Sequence, residues 1–289
     1  MWRATRQRVA DDGWGGRILE HRTSDGLWAG ALYSPKWTST FYSMQTLAGL
    51  GLPCDDPRAR ATASLLLERG VRADGSVALW STDSPDTCVA GMLLRTVASF
   101  GLSDDARTRA VVHYLLDQQL ADGGWNCRRA RGATHSSFHT TLSVLEGLDA
   151  WSANTGGERM DVPPAEAAGR EFLLVHRLFR SHRDGAVVSD AMTRFSYPRY
   201  WYYDILRALE YLAASGAAPD ARCVDAVDIV LGRRGRDGRW RLGPRHGGRT
   251  WLVMERGGEP SRRVTLGALR VLTWWDHSSA LAEPGRMAT

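Results

Sequence analysis

The segment Gln119-Leu120-Ala121-Asp122-Gly123-Gly124-Trp125 contains the turn that decides the fold, because its Asp-Gly pair recurs along the chain. Other copies are found at Asp12-Gly13-Trp14, Asp25-Gly26-Leu27-Trp28, Asp74-Gly75, Asp184-Gly185 and Asp237-Gly238-Arg239-Trp240. From Asp25 onward, successive copies are 49, 48, 62 and 53 residues apart. A repeat of this period is typical of stacked supersecondary units that bury their apolar faces only against neighbouring units.

Two helices separate each turn from the next, as the spacing of apolar residues indicates. The first helices are predicted at Thr38–Leu50, Asp86–Phe100, Ser137–Trp151, Tyr200–Leu212 and Arg262–Trp275. The second helices are predicted at Pro57–Glu68, Asp104–Leu120, Pro164–Leu178 and Pro219–Leu231. Short apolar runs at 186–188 and 251–254 would form at most a local hairpin. The sequence therefore predicts an all-α chain of about five helical hairpins that form a single domain over residues 1–289.

The composition excludes several classes of protein. The chain has a formal net charge of +5, and Lys36 is the only lysine among its 37 basic residues. Because this arginine bias is general, we expect no nucleic-acid partner. The absence of an N-terminal apolar run, and of any stretch near the roughly 20 apolar residues of a membrane span, predicts a soluble cytoplasmic protein. Irregular spacing indicates reduced thiols rather than a disulfide framework for the four cysteines, which are Cys54, Cys88, Cys127 and Cys223.

The repeated hairpins with their Gln-x-x-Asp-Gly-Gly-Trp turn, and the start of one first helix at Ser137-Phe138-His139-Thr140-Thr141-Leu142, resemble the superfamily of squalene-hopene cyclases and protein prenyltransferase β subunits. The resemblance implies an α/α toroid of about five to six hairpins, in which the first helices are inner helices that line a cavity. It also implies an isoprenoid or other apolar small molecule as substrate. The turn motif identifies the fold and says little about the reaction, because fold and function separate readily.

The turn motif has a physical explanation that assigns its tryptophans to packing. Glycine accepts a positive φ at a tight turn, aspartate bonds to nearby amides, and tryptophan covers the end of a hairpin. We therefore expect Trp14, Trp125 and Trp240 to join neighbouring repeats without contacting substrate. The site is expected where the inner helices begin, because helix N-termini offer free N–H groups and a positive dipole end.

The segment Asp83-Ser84-Pro85-Asp86-Thr87 resembles the Asp-x-Asp-Asp-Thr motif of squalene-hopene cyclases, in which the central acid protonates an alkene. Pro85 stands in place of that acid and has no proton to give. A cyclase that starts by protonation is therefore disfavoured unless Asp86 or Asp204 has taken over as the catalytic acid.

The segment Asp86-Thr87-Cys88, with His139 one repeat later, resembles the Asp-x-Cys and His that hold zinc in protein prenyltransferase β subunits. The resemblance implies a zinc site made of Asp86, Cys88 and His139, with Cys127 or His135 as substitutes for one ligand. Such an ion would bind a substrate thiol as the thiolate. The alternative is that Cys88 is a small buried apolar residue and that Asp86 caps its helix. The basic residues that precede this motif in the family are absent, so protein farnesylation is disfavoured.

The fourth inner helix is predicted to open with the aromatic run that ends at Tyr203 and Asp204. Rings that face the cavity, Tyr203 among them, would stabilise an isoprenoid tail or a developing cation. Asp204 is a candidate general base, a partner of a metal-bound histidine, or an ion-pair partner of Arg199 or Arg222. Guanidinium groups suit phosphate or carboxylate, so the candidate anion-binding residues are Arg199, Arg262 and Arg263. A solvated arginine-rich face is the alternative.

Three functions are consistent with these residues. The first is zinc-assisted alkyl or prenyl transfer to a thiol or other soft nucleophile, with a peptide or thiol as acceptor. The second is a terpene cyclase whose acid has moved to Asp86 or Asp204. The third is a non-catalytic toroid that binds a lipid or a peptide, as repeat proteins often do.

Overall fold

The computed structural model describes residues 2–80, 85–155 and 161–282, so Asp83 and Ser84 of the predicted acid motif lie outside the described residues. Within this part of the chain the regular structure is helical, and strand pairing is limited to isolated bridges. None of the helices in the described segments is long and apolar enough to cross a membrane. The helices are α1 Trp2–Gln7, α2 Gly13–Leu19, α3 Thr40–Leu50, α4 Pro57–Gly70, α5 Thr87–Ser99, α6 Ala106–Asp117, α7 Phe138–Thr155, α8 Val162–Val175, α9 Ile205–Ala214, α10 Val224–Gly232 and α11 Arg262–Ala282.

The predicted alternation of first and second helices is confirmed. Helices α3, α5, α7, α9 and α11 follow the Asp-Gly turns, whereas α4, α6, α8 and α10 are the second helices. Their starts follow the local signals in the sequence. For example, the Asp56 carboxylate accepts hydrogen bonds from the backbone N–H groups of Arg58 and Ala59, and Pro57 occupies the first turn of α4. The all-α fold class is therefore correct.

Some predicted helix boundaries require correction, and so does one predicted hairpin. Helix α9 begins at Ile205 rather than Tyr200, because Tyr200 has a φ of 51° and cannot continue a right-handed helix. Helix α8 ends at Val175 rather than Leu178, since Leu178 has a φ of 68°. The expected hairpin at 186–188 is reduced to a single bridge between Arg180 and Val187.

The chain divides into two compact units, which are described separately. The first unit comprises residues 1–170 and 247–254, and the second comprises residues 171–246 and 255–289. The prediction of one domain over residues 1–289 stays a prediction. In the first unit, the predicted strand candidate at 251–254 forms no strand. There, the Trp251 indole donates a hydrogen bond to Ser43 Oγ (2.9 Å) and stacks on the His21 ring.

Three tryptophans join each turn to the helix before it and to the helix after it. The indole Nε1 of Trp125 donates to the carbonyl of Leu115 at 2.7 Å, and its backbone N–H donates to Thr141 Oγ1 at 3.0 Å. The same pair of bonds joins Trp28 to Ile18 and Thr40, and Trp240 to Val230 and Thr265. The packing role predicted for Trp125 and Trp240 is confirmed. In the first repeat Trp28, and not the half-buried Trp14, occupies this position.

The closest helix crossing in the first unit is formed by two glycines. A Cβ atom at Gly91 of α5 would lie 2.6 Å from the carbonyl oxygen of Ser143 in α7. A Cβ atom at Gly147 of α7 would lie 2.4 Å from the carbonyl oxygen of Gly91. Both obstacles are backbone atoms and cannot rotate away. The two inner helices therefore approach at a distance that only glycine allows, and this approach fixes the spacing of their N-termini.

The buried carboxyl group of Glu166 in α8 should make the stability of the protein depend on pH. Burial raises the pKa of its carboxyl group to about 7, and its buried Oε1 has no hydrogen-bond partner in the described part of the chain. The unfolded chain ionises near the ordinary value of 4.5, so folding favours the protonated acid. The free energy of unfolding should therefore be highest below that value, and it should fall by about 1–3 kcal/mol as the pH rises through 7.

Denaturation in urea at a series of pH values tests this expectation. The variant Glu166→Gln should lose that slope and should be more stable than the wild type above pH 7, because a neutral amide replaces the buried carboxylate. Equal slopes for the two proteins would contradict the assignment of the pH dependence to Glu166.

Candidate active site at the start of the inner helices

Asp86 immediately precedes α5 but does not cap it. Asp56, Asp105 and Asp204 occupy the same position before their helices, and each accepts a backbone N–H of its own helix. The side chain of Asp86 makes no such bond. Its Oδ2 instead accepts a hydrogen bond of 2.7 Å from the indole Nε1 of Trp80, a side chain that is 52% exposed. The alternative function predicted for Asp86, helix capping, is therefore wrong.

Cys88 lies in the first turn of α5, and Cys127 follows the turn that leads to α7. Both are free cysteines and both are partly buried. A hydrogen bond with Cys88 lowers the pKa of Cys127 to about 6, whereas the same interaction and burial raise the pKa of Cys88 well above its ordinary value. The two thiols therefore titrate as a pair.

Thr140 of α7 provides a second hydrogen bond to the Cys127 sulfur. Its Oγ1 accepts the backbone N–H of Cys127 at 3.3 Å and the hydroxyl of Ser137 at 2.9 Å. Ser137 is itself fixed, because its Oγ accepts the backbone N–H of Thr140 at 3.2 Å. Thr140 therefore joins the segment at Cys127 to the start of α7, and it also lowers the pKa of Cys127.

Tyr33, in the segment before α3, belongs to the first repeat. Burial raises the pKa of Tyr33 to about 12. Its ring lies 5.1 Å from that of Tyr42 and 5.8 Å from that of Phe41, measured between centroids. Tyr33, Phe41 and Tyr42 thus form an aromatic cluster around the start of α3.

The zinc site predicted from Asp86, Cys88 and His139 finds no support in the side-chain positions. Within the described residues, no three His, Cys, Asp or Glu side chains are close enough together to hold a metal ion. His135 is exposed and does not complete a set either. A catalytic zinc ion needs three protein ligands. The donor set therefore does not fit the ion, and no chemical step is derived from it.

Tyr203 and Asp204 lie in the second unit and have structural partners there. The Tyr203 hydroxyl donates to the carbonyl of Leu178 at 2.6 Å, and burial raises the tyrosine pKa well above its ordinary value. Asp204 accepts the backbone N–H of Arg207 at 2.8 Å and pairs with Arg199 at 3.2 Å. Burial raises the Asp204 pKa against the attraction of Arg199. The predicted ion pair of Asp204 with Arg199 is thereby confirmed, while catalysis by either residue stays a prediction.

Two of the three predicted anion-binding arginines are paired with one buried carboxylate. Arg199 and Arg263 each form an ion pair with Glu210, the second with an N–O distance of 2.8 Å. Burial opposes the ionisation of Glu210, but the two guanidinium groups together hold its pKa below the ordinary value. The Arg262 side chain is 80% exposed and lies 3.8 Å from Glu255. Anion binding by Arg199, Arg262 and Arg263 stays a prediction, and Glu210 already neutralises charge in this cluster.

The sequence analysis missed three residues of these clusters. Tyr33 belongs to no motif and lies before its helix, so the helical spacing of apolar residues did not indicate it. Glu210 lies within a helix and belongs to no motif. Its function depends on ion pairs with two arginines from other segments. Thr140 was quoted in the motif at the start of α7, but its function depends on Cys127, which sequence spacing presented only as a substitute ligand.

Comparisons with known proteins give a structural likeness alone. No protein-family model matches the chain, and no curated protein matches it. Among solved structures, the chain is similar to the type II terpene cyclase MstE from Scytonema in its apo form, with 15% sequence identity and a TM-score of 0.39. That alignment covers 82% of this chain and 80% of the cyclase. A variant of MstE in complex with merosterolic acid A (product) gives 14% identity and a TM-score of 0.37, covering 82% and 81% of the two chains.

Proposed function

We propose that the protein is an enzyme that isomerises or cyclises an isoprenoid or similar apolar molecule in its first unit, with Asp86 as the proton-transferring group. One observation carries the proposal: Asp86 stands at the start of an inner helix and leaves the capping position unused. Its carboxyl group accepts a hydrogen bond from the Trp80 indole. This arrangement favours Asp86 over Asp204, whose carboxylate is occupied by helix capping and by an arginine.

The proposed reaction requires no oxidant. The O–H bond of the protonated Asp86 breaks, a C–H bond forms at one alkene carbon of the substrate, and positive charge develops at the other. A second double bond then supplies the electron pair that closes a ring, or a neighbouring C–H bond supplies the pair that moves the alkene. The Asp86 carboxylate takes the released proton back. The aromatic cluster around the start of α3, to which Tyr33 belongs, would offer π faces to the developing cation.

Turnover of linear isoprenoids by purified protein tests the proposal. With substrates of farnesyl and geranylgeranyl length, mass spectrometry should detect products that have the mass of the substrate. The variant Asp86→Asn should reduce the rate at least about 100-fold, because the amide has no acidic proton. The matched control is Asp56→Asn, which should retain activity because asparagine caps a helix as well as aspartate does.

Two other outcomes would contradict the proposal in different ways. Full activity of Asp86→Asn would remove Asp86 from the reaction. Tight binding of isoprenoids without any product would favour the non-catalytic toroid. Zinc as cofactor stays a prediction, which elemental analysis of the purified protein tests. One equivalent that is lost in Cys88→Ala would restore alkyl transfer as the leading hypothesis.

A further inference from the structure

Two histidine rings are in direct contact just after the end of α8, in the second unit. The Nδ1 atom of His182 lies 2.8 Å from the Nε2 atom of His176, and the two rings stand at 89° with their centroids 4.7 Å apart. Neither histidine takes part in the proposed proton transfer. We propose that this pair is a binding site for a divalent transition-metal ion, Cu²⁺ or Ni²⁺, which the two nitrogen atoms would hold together.

The backbone between the two histidines keeps their rings at this distance. Just after α8, Arg177 and Leu178 have positive φ values of 47° and 68°, which reverse the direction of the chain. Leu178 is fully buried. The backbone N–H of Ser181 then donates to the carbonyl of Ala186 at 2.8 Å and closes the turn that carries His182. Both rings are therefore attached to ordered backbone, so little movement is needed to bind an ion.

Hydrogen bonds decide which nitrogen atoms can act as ligands. The Nδ1 atom of His176 lies 2.8 Å from the carbonyl oxygen of Phe172. A carbonyl only accepts, so Nδ1 carries the hydrogen and the Nε2 atom of the neutral ring keeps its lone pair. Metal-bound histidines usually donate their other ring N–H to a carbonyl or a carboxylate in this way. His182 is exposed, and it offers Nδ1 to the same ion when its hydrogen moves to Nε2.

The separation of the two nitrogen atoms indicates the type of ion. With bonds of about 2.0–2.1 Å, two ligand nitrogens lie about 2.8–3.0 Å apart at a right angle and about 3.3–3.4 Å apart in a tetrahedron. The distance of 2.8 Å matches the right angle, which is typical of Cu²⁺ and Ni²⁺, whereas zinc prefers the tetrahedron. No third His, Cys, Asp or Glu side chain in the described segments completes the set. Water would therefore fill the remaining positions.

The charges around the pair limit the affinity for a cation. Arg177 and Arg180 both form ion pairs with Asp225 of α10, at 3.5 and 2.9 Å. The turn that carries His182 adds the opposite charges of Arg183 and Asp184. Three arginines thus stand near two aspartates, and the small excess of positive charge opposes a cation. We therefore expect weaker binding than at a site with carboxylate or thiolate ligands.

Isothermal titration calorimetry with NiCl₂ tests the site, on the full chain at neutral pH and without a polyhistidine tag. The wild type should bind about one equivalent of Ni²⁺. The variants His176→Ala and His182→Ala should each weaken that binding at least about tenfold, because a single imidazole remains. Zn²⁺ should bind to the pair at least about tenfold more weakly than Ni²⁺, because the right angle does not suit it.

The matched control is His135→Ala, which removes an exposed histidine of the first unit and should bind Ni²⁺ like the wild type. His182→Gln, which keeps a polar side chain in the turn, should lose binding as His182→Ala does. Circular dichroism checks that the variants are folded. No Ni²⁺ binding by the wild type, unchanged binding in His182→Ala, or equal affinity of the pair for Zn²⁺ would overturn the proposal. These readouts need no isoprenoid, so their outcome is independent of the proposed function.

Discussion

Replacing Trp125 by alanine is expected to lower the free energy of unfolding by about 3–5 kcal/mol, the largest single effect that we predict. The indole is fully buried, and it reaches from the turn to the carbonyl of Leu115 in α6. Gly169 of α8 makes room for the ring, since a Cβ atom there would lie 2.7 Å from it. The substitution therefore removes both the hydrogen bond and the apolar contacts that join two repeats.

Urea denaturation followed by circular dichroism measures this effect. The control is Trp80→Ala, which removes a tryptophan that is 52% exposed and should change the unfolding free energy by less than about 0.5 kcal/mol. Trp240 occupies the equivalent position in the second unit, so Trp240→Ala should lower the free energy of unfolding as Trp125→Ala does. If Trp125→Ala were no more destabilising than Trp80→Ala, the packing role of the turn tryptophans would be refuted.

Introducing valine at Gly147 should lower the free energy of unfolding by about 3 kcal/mol or more, because backbone atoms obstruct the new side chain. Its Cβ atom alone would stand 2.4 Å from the carbonyl oxygen of Gly91. Helices α5 and α7 would have to separate.

The matched control is a helical glycine at which an added Cβ atom would have open space. A Cβ atom at Gly232, the last residue of α10, would meet nothing within 4 Å. Gly232→Ala should therefore leave stability unchanged or raise it by up to about 1 kcal/mol, through the better helix propensity of alanine. In the same denaturation assay, Gly147→Ala should lower the free energy of unfolding, whereas Gly232→Ala should not lower it. Equal effects would mean that the helices tolerate a wider spacing than the crossing indicates.

Helix positions were predictable where the signal lay within a few residues. Asp56 and Pro57 mark the start of α4, and the structure begins the helix at that proline. The start of α9 was misplaced because nothing in the aromatic run reveals the positive φ of Tyr200. Such a conformation is imposed by what surrounds the residue and not by its own preference.

The sequence predicted the position of the candidate site along the chain. It did not predict which side chains would contact one another there. Asp86 and Cys88 were selected because they stand at the start of an inner helix, and Asp86 directly precedes α5 while Cys88 lies in its first turn. The partner of the Asp86 carboxyl group is the Trp80 indole, which belongs to no motif. The backbone hydrogen bond from Cys127 to Thr140 joins a loop to the start of α7, and sequence spacing alone does not reveal such a pair.

The sequence by itself determined the repeat, the pairing of helices and the turn tryptophans, because each depends on short-range contacts. The indole hydrogen bonds of Trp28, Trp125 and Trp240 all reach back ten residues. Only the tertiary structure decided the Gly91–Gly147 crossing and the occupation of two arginines by Glu210. These depend on the angle and separation at which helices from different repeats meet, and packing of whole side chains sets those two quantities.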